Sequence, residues 1–386
     1  MKKYRLAVPG PTPLPPEVSA AAVLPIEDER TERYSAVFLR VLEGLGKAMG
    51  TSNEVLLFTS SMTGAFESVL QNLFSPGDRV LIVNNGAFGA RWVAMARAFG
   101  LDAVEVAGEW GRPADMGRVA EAVASTPGLV AAVAVHCETS TGVVNDLRAF
   151  GEATRSLVSI VDTASGVGAC ELRADEWGLD VVVAGCQKAL MTPPGLAFAG
   201  IGPRAWLQHR QATLPRFYFD WDAARDAMRG TVPGTPWTPA ISLISQLDVA
   251  LRRLHEEGMD EVIARHVRLG RMTRAGVRGM GLDLYSPDDD RCASVTAVRV
   301  PDGIDSRFLV DHLVEEYGVQ LVGGAGPLAG RVVRIGHCGY VDTLDVITTL
   351  SALGLALQDL GHPLDVADGV AAALRHDRHA LVRGLR

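Results

Sequence analysis

Lys188 is the residue whose type most needs a chemical explanation. The chain holds 37 lysines and arginines, and only four are lysine: Lys2, Lys3, Lys47 and Lys188. A cation wanted only for charge or solubility is nearly always arginine here. Lysine can lose its proton and act as an amine nucleophile, whereas a guanidinium stays charged. Lys188 lies in VVVAGCQKALMTPPGL, among apolar and small residues. The competing reading is a surface lysine placed by chance.

Two further groups could act with it. EVLLF runs into Thr59-Ser60-Ser61-Met62-Thr63-Gly64 and then a helical stretch. Small residues ahead of a helix N-terminus can cradle a phosphate with backbone N–H groups and hydroxyls, although Ser and Thr there also serve as plain N-caps. LVSIVD ends in Asp162. A carboxylate at the end of an apolar strand is costly without a partner. A protonated pyridine nitrogen is one such partner, and the pairing keeps pyridoxal phosphate (PLP) an electron sink. Alone, Asp162 reads as a cap on the TASG turn. Cradle, acid and amine in that order are far more specific than any one of them.

The elements that must position these groups alternate. Residues 34–49 have helical apolar spacing with Gly50 as a stop. Strand-like EVLLF, RVLIV, DAVEVA, LVAAVAV, LVSIVD and DVVVAG are separated by helical TGAFESVLQNLF, FGARWVAMARAFG, ADMGRVAEAVAST and LRAFGEATRS. Short, continuously apolar strands between helices predict an α/β fold with a mostly parallel sheet covered on both faces. Ligands of such sheets sit at the carboxyl ends of the strands. One crossover between Asp162 and Lys188 allows two adjacent strand ends to present acid and amine to one ring.

Helices over about 240–280 lead into a second α/β unit, with strands in ASVTAVRV and RVVRIGHCGY. The expected division is a large domain with an N-terminal arm, 1–255, and a small C-terminal domain, 256–386. A chain of 386 residues fits two domains.

Composition narrows the classes. Net charge is −8 and 48% of residues are hydrophobic. That profile is of a soluble globular protein and argues against a nucleic-acid binder. No apolar run approaches the roughly 20 residues of a membrane span, and the first residues lack a signal-peptide core. Five cysteines without CxxC or metal spacing suggest free thiols, no metal, and a cytoplasmic protein.

With these residues in view, the chain resembles the class V, fold-type I PLP aminotransferases, in the alanine–glyoxylate / serine–glyoxylate (serine–pyruvate) group. The resemblance runs nearly end to end through VPGPTPLPPEV, SSMTGAFESVLQNLFSPGDRVLIVNNGAFG, HCETSTGVVND, VDTASGVGA, GCQKALMTPPGL, TPWTPAISL and RVVRIGHCGY. It implies a seven-stranded, mostly parallel sheet in the large domain. It makes Lys188 the Schiff-base lysine and proton shuttle, and Asp162 the partner of the pyridine nitrogen. Thr139 would bond the ring hydroxyl. Met62, Thr63 and Gln187 would hold the phosphate. Thr235 or Thr238 would reach the phosphate of a neighbouring subunit in a homodimer. Arg334 would clamp the substrate carboxylate, a job suited to a bidentate guanidinium.

Two positions depart from the pattern. Phe88 stands where Trp often stacks on the ring, and Met62 where Gly is common in the phosphate loop. His136 and His337 lie near the expected crevice as structural or substrate-shaping groups. Arg33, Arg112, Tyr218 and Tyr340 are open candidates for substrate contact.

The implied reaction is a ping-pong transfer of an amino group from a small amino acid, such as alanine or serine, to a 2-oxo acid such as glyoxylate or pyruvate. The alternative is a PLP lyase or desulfurase, with Cys292 or Cys338 as the thiol. A third reading is a non-catalytic PLP-binding protein.

Overall fold

The computed structural model describes residues 2–287 and 292–383, with side-chain surroundings to residue 376. Residues 288–291 and 384–386 of the expected small domain lie outside the described residues. In chain order come β1 (Arg5–Leu6), α1 (Pro16–Ala21), α2 (Glu32–Met49), β2 (Glu54–Thr59), α3 (Met62–Leu73), β3 (Arg79–Asn84) and α4 (Ala87–Ala98). Next are β4 (Asp102–Ala107), α5 (Met116–Ser125), β5 (Leu129–Val135), β6 (Cys137–Glu138), β7 (Val143–Val144), α6 (Leu147–Ala153), β8 (Val158–Asp162), β9 (Val181–Gly185) and β10 (Leu196–Ile201). Then follow α7 (Pro203–His209), α8 (Trp221–Met228), α9 (Ile241–Glu257), α10 (Met259–Gly279), β11 (Val295–Arg299) and α11 (Ser306–His312). The last are β12 (Val319–Gln320), β13 (Val322–Gly323), β14 (Val332–Gly336), α12 (Thr343–Asp359) and α13 (Val366–Arg383).

The large sheet has seven strands in the order β2-β10-β9-β8-β5-β3-β4. Strand β10 runs antiparallel to both β2 and β9, while β3–β4, β3–β5, β5–β8 and β8–β9 pair in parallel. All five residues of β8 and all five of β9 are buried, as central strands covered on both faces must be. Alternate residues feed opposite cores: Val182 and Ala184 join the core with α2 and α9, and Val181 and Val183 the core with α3 and α4.

The C-terminal unit is built on a three-stranded antiparallel sheet, β11-β14-β13. Helices α10, α12 and α13 pack together beside it. The N-terminal arm joins this unit too, because β1 pairs in parallel with β12 and Ala7 enters its apolar core. From there the arm crosses to the large sheet. Thr12 N–H donates to Gln187 O at 3.1 Å and its hydroxyl to Lys188 O at 2.7 Å.

Six helices are capped by the side chain of their own N-cap residue. Thr31, Asp115, Asp146, Asp220, Asp305 and Asp342 cap α2, α5, α6, α8, α11 and α12 with their own side chains. Helices α3 and α4 begin at Ser61 and Gly86, which make no side-chain cap bond. Both helices start at the carboxyl ends of the large-sheet strands, beside Lys188 and Asp162. Among the described residues no helix is long and apolar enough to cross a membrane.

Candidate active site

Strands β8 and β9 are adjacent and parallel, with Asp162 paired to Val183. Their carboxyl ends therefore carry Asp162 and, three residues beyond Gly185, Lys188 to one edge. The Lys188 amine donates to Ser165 Oγ at 2.7 Å. Burial pulls its pKa below the ordinary lysine value, opposed by the nearby Cys338 and Asp162. A lysine so placed is easier to deprotonate, as an amine nucleophile or base requires.

Asp162 is 2% exposed. Its Oδ1 accepts the Ala164 N–H at 3.0 Å and its Oδ2 the Trp92 indole N–H at 3.4 Å. Burial pushes its carboxyl up to about 6, against those bonds and the charge of Lys188. An acid this short of compensation fits a cationic partner above it. Phe88, at the start of α4, lies with its ring centroid 5.7 Å from Lys188 Nζ. Thr139 is buried just past β6.

The start of α3 leaves backbone donors that can receive an anion. Ser61 caps nothing, so the first-turn N–H groups at Met62 and Thr63 have no side-chain acceptor from the N-cap. Gly185 lets this turn approach the end of β9: a Cβ there would stand 2.6 Å from Met62 Sδ and 2.8 Å from Gln187 Oε1. The residues present thus fit a phosphorylated, cation-bearing ring with an aldehyde partner for lysine.

Arg334 comes from β14 of the small unit. Its Nε donates to Gly323 O at 3.0 Å and its Nη1 to Thr139 O at 3.3 Å. Nη2 has no acceptor among the described residues. Burial lowers its pKa, opposed by the nearby Glu138. The guanidinium is therefore held from two sides with one edge left for an anion.

Other candidates are placed differently. His136 pairs with the Thr163 hydroxyl at 3.0 Å, and burial pushes its pKa down to about 4. His337 pairs with the Thr296 hydroxyl at 2.9 Å and is pushed down to about 3 by burial. Both are neutral structural groups at ordinary pH. Arg33 is exposed and paired with Glu27. The Tyr218 hydroxyl donates to Thr59 O at 3.1 Å, beside the start of α3. The Thr235 hydroxyl donates to Trp237 O at 2.6 Å, within its own loop. Thr238 is exposed, and its hydroxyl has no partner among the described residues.

Ser165, Trp92, Glu138 and Thr12 escaped the sequence reading. Only Ser165 carried a signal, its place in the turn directly after Asp162. The others act through contacts between distant segments.

The class-V aminotransferase family model matches residues 29–336. The chain is 37% identical over 380 residues to the L-aspartate–glyoxylate aminotransferase of Paracoccus denitrificans, covering 96% of this chain and 95% of that one. It is 34% identical over 391 residues to the serine–glyoxylate aminotransferase of Arabidopsis thaliana, covering 98% and 96%. Among solved structures, the pyridoxamine–pyruvate aminotransferase from Mesorhizobium loti superposes with a TM-score of 0.94 at 28% identity, covering 98% of each chain. A strand-end lysine beside a buried acid, an uncapped helix start and a half-freed arginine are thus found in a chain that belongs to the class-V, PLP-dependent aminotransferases.

Proposed function

We propose that this aminotransferase moves the amino group of a small amino acid to a short 2-oxo acid, such as glyoxylate or pyruvate, in two half-reactions at one seat. The observation that carries the reading is the pairing of β8 with β9, which brings the Lys188 amine and the Asp162 carboxylate to one edge beside Phe88. The aspartate, serine and pyridoxamine donors in the relatives' names leave the donor itself open.

PLP, when bound, supplies the electron sink that lets a bond at the donor's α-carbon ionise. In this reading Asp162 would hold the proton on the ring nitrogen. Phe88 would pack against the ring and exclude water. The first-turn N–H groups of Met62 and Thr63, with Gln187, would hold the phosphate, and Thr139 would orient the ring hydroxyl. Lys188 Nζ takes a proton from the donor's α-carbon and delivers one to the acceptor's in the second half-reaction. Arg334 clamps the carboxylate common to both substrates.

We further read the protein as a cytoplasmic homodimer with Thr238 reaching the partner's phosphate seat. Large apolar residues left in solvent support an interface: Val23 is 85% exposed, Ile26 74% and Phe217 75%. The free, buried cysteines fit a reducing compartment. The 1–255 and 256–386 division stays the working domain assignment, with the arm tied to both parts.

A desulfurase needs an accessible thiol. Cys292 and Cys338 are 1% and 0% exposed, and burial pushes Cys338 up to about 11. The test is absorbance of the purified holoenzyme. One amino acid added alone should shift the cofactor band, and one 2-oxo acid should restore it. Ammonia, pyruvate or sulfide released without an acceptor would mark a lyase instead.

A further inference from the structure

Helix α4 carries two residues of the seat on one face. Phe88 and Trp92 are four positions apart and so project from the same side. Phe88 lies beside the Lys188 amine, and the Trp92 indole donates to Asp162 Oδ2. A slide or rotation of α4 would displace the ring cover and the Asp162 contact together.

The helix does not fix its own start. Its N-cap, Gly86, offers no side chain. Glu138, from β6, does the capping from outside. Its Oε2 accepts the N–H groups of Phe88 at 3.0 Å and Gly89 at 3.2 Å. Its Oε1 accepts the Ser140 N–H at 3.2 Å and also the Ser140 hydroxyl. Ser140 Oγ in turn accepts the Ala87 N–H at 3.0 Å. Close approach requires glycine at position 86, where a Cβ would stand 2.2 Å from Glu138 Cγ.

Glu138 is 0% exposed. A carboxylate buried so fully is strongly destabilising unless its oxygens are bonded, and here every bond goes to α4 or to the loop that braces it. The next residue, Thr139, gives its carbonyl to Arg334. One side chain thus links the ring cover, the Asp162 contact and the segment that steadies the carboxylate clamp.

We propose that Glu138 is a positioning residue whose reach from β6 to the first turn of α4 holds Phe88 and Trp92 in register with Lys188 and Asp162, and thereby sets the affinity for PLP. The proposal rests on the cofactor seat assigned above. It makes side-chain length the property that matters. Glu138→Gln keeps the length and an oxygen for the Phe88 and Gly89 N–H groups. Glu138→Asp keeps the charge but is one methylene short of spanning both α4 and Ser140.

The experiment titrates folded apo-protein of each variant with PLP and follows the dissociation constant, the KM and the kcat. Glu138→Gln should stay within about threefold of wild type in cofactor affinity, whereas Glu138→Asp should weaken it at least tenfold and lower kcat more than it raises KM. The opposite order, with Asp tolerated and Gln not, would make charge the function and overturn the proposal. So would equal affinity in all three proteins, since loss of a merely structural bond lowers the unfolding temperature without touching affinity. Should Glu138→Asp not fold, Ser140→Ala replaces it, and an unchanged dissociation constant there overturns the proposal equally. Borohydride reduction of wild-type holoenzyme with peptide mapping is the independent arm. A label away from Lys188 sinks the seat and the clamp together. A label on Lys188 with unchanged affinity in Glu138→Asp sinks the clamp alone.

Discussion

The Lys188 amine and the Ser165 hydroxyl lie 2.7 Å apart, and Ser165 belongs to the turn that leaves Asp162. The same turn returns the Ala164 N–H to Asp162 Oδ1 at 3.0 Å. One short loop therefore fixes the acid and parks the amine.

This geometry makes Lys188→Ala a clean test. The loss removes one amine whose hydrogen bond, among the described residues, goes only to Ser165. The variant should fold with a wild-type circular dichroism spectrum, fail to retain cofactor after borohydride reduction, and show no turnover. Normal turnover would overthrow the whole functional reading.

Asp162→Asn separates binding from chemistry. The amide fills the same volume and its oxygen still accepts the Ala164 N–H, but it cannot balance a cationic ring nitrogen. The variant should bind PLP and lose kcat by about a thousandfold, or about 4 kcal/mol of barrier. An unchanged kcat would reduce Asp162 to a turn cap.

The titration of Asp162 has a stability signature. Burial pushes its carboxyl from 3.8 up to about 6 in the protein alone. A carboxyl raised above its unfolded value stabilises the folded state fully below 3.8 and loses that contribution as pH rises through about 6. The effect is on the order of 3 kcal/mol. Lys188, Glu138, His136 and Trp92 surround the group. His136, pushed down to about 4, acts in the opposite sense, and it is retained in Asp162→Asn, which separates the two groups. A cationic ring nitrogen opposite Asp162 keeps the carboxylate ionised and removes the penalty. The unfolding temperature of holoenzyme minus that of apo-protein should therefore widen by several degrees between pH 5 and 7.5. Asp162→Asn should abolish the widening. A gap that stays constant in wild type would exclude a charged partner for Asp162.

Much of this site is legible in the sequence because its strands are uniformly apolar. VSIVD and VVVAG read as buried strands, and the single crossover between them allowed adjacent ends. Strand β10 is not legible in LAFAGI. Its composition matches its neighbours', and its antiparallel direction comes from the Pro193-Pro194-Gly195 turn folding it back between β9 and β2. Glu138 and Trp92 are hidden for a different reason. Their roles depend on which face α4 turns to the large sheet, a tertiary fact that helical periodicity leaves open because much of α4 is apolar. Thr235 and Thr238 are equivalent in sequence. Only the backbone course distinguishes the hydroxyl that closes its own loop from the one left in solvent.

Arg334 should govern recognition of both substrates. Its Nε and Nη1 are held by Gly323 O and Thr139 O, so the guanidinium is oriented before substrate arrives. Arg334→Gln should raise KM for amino donor and oxo acceptor alike, by about a hundredfold, with a smaller fall in kcat. Arg334→Lys should recover only part of this, since a point charge cannot repeat the fork. A change in KM for one substrate alone would place the common carboxylate elsewhere.

The shared phosphate seat is tested by mixing chains. Thr238 lies in the Pro-rich segment before α9, exposed and without a partner among the described residues. Thr235 is bonded to Trp237 O, and Thr238 is the hydroxyl proposed to cross a two-fold axis. In an isologous dimer each copy would complete the other's seat. The bland alternative is a stiff linker between elements. A Lys188→Ala chain and a Thr238→Ala chain, carrying different tags, are co-expressed and the heterodimer is purified. If Thr238 serves the neighbour, one site holds both lesions and the other holds none. At limiting PLP the heterodimer should then show one wild-type site per dimer, well above either homodimer. If Thr238 serves its own chain, each site holds one lesion and no activity returns. Thr235→Ala in place of Thr238→Ala is the control and should give no complementation pattern, because its hydroxyl stays within its own loop. A heterodimer no more active than the mean of its parents, or an active species that sediments as a monomer, would rule out the shared seat.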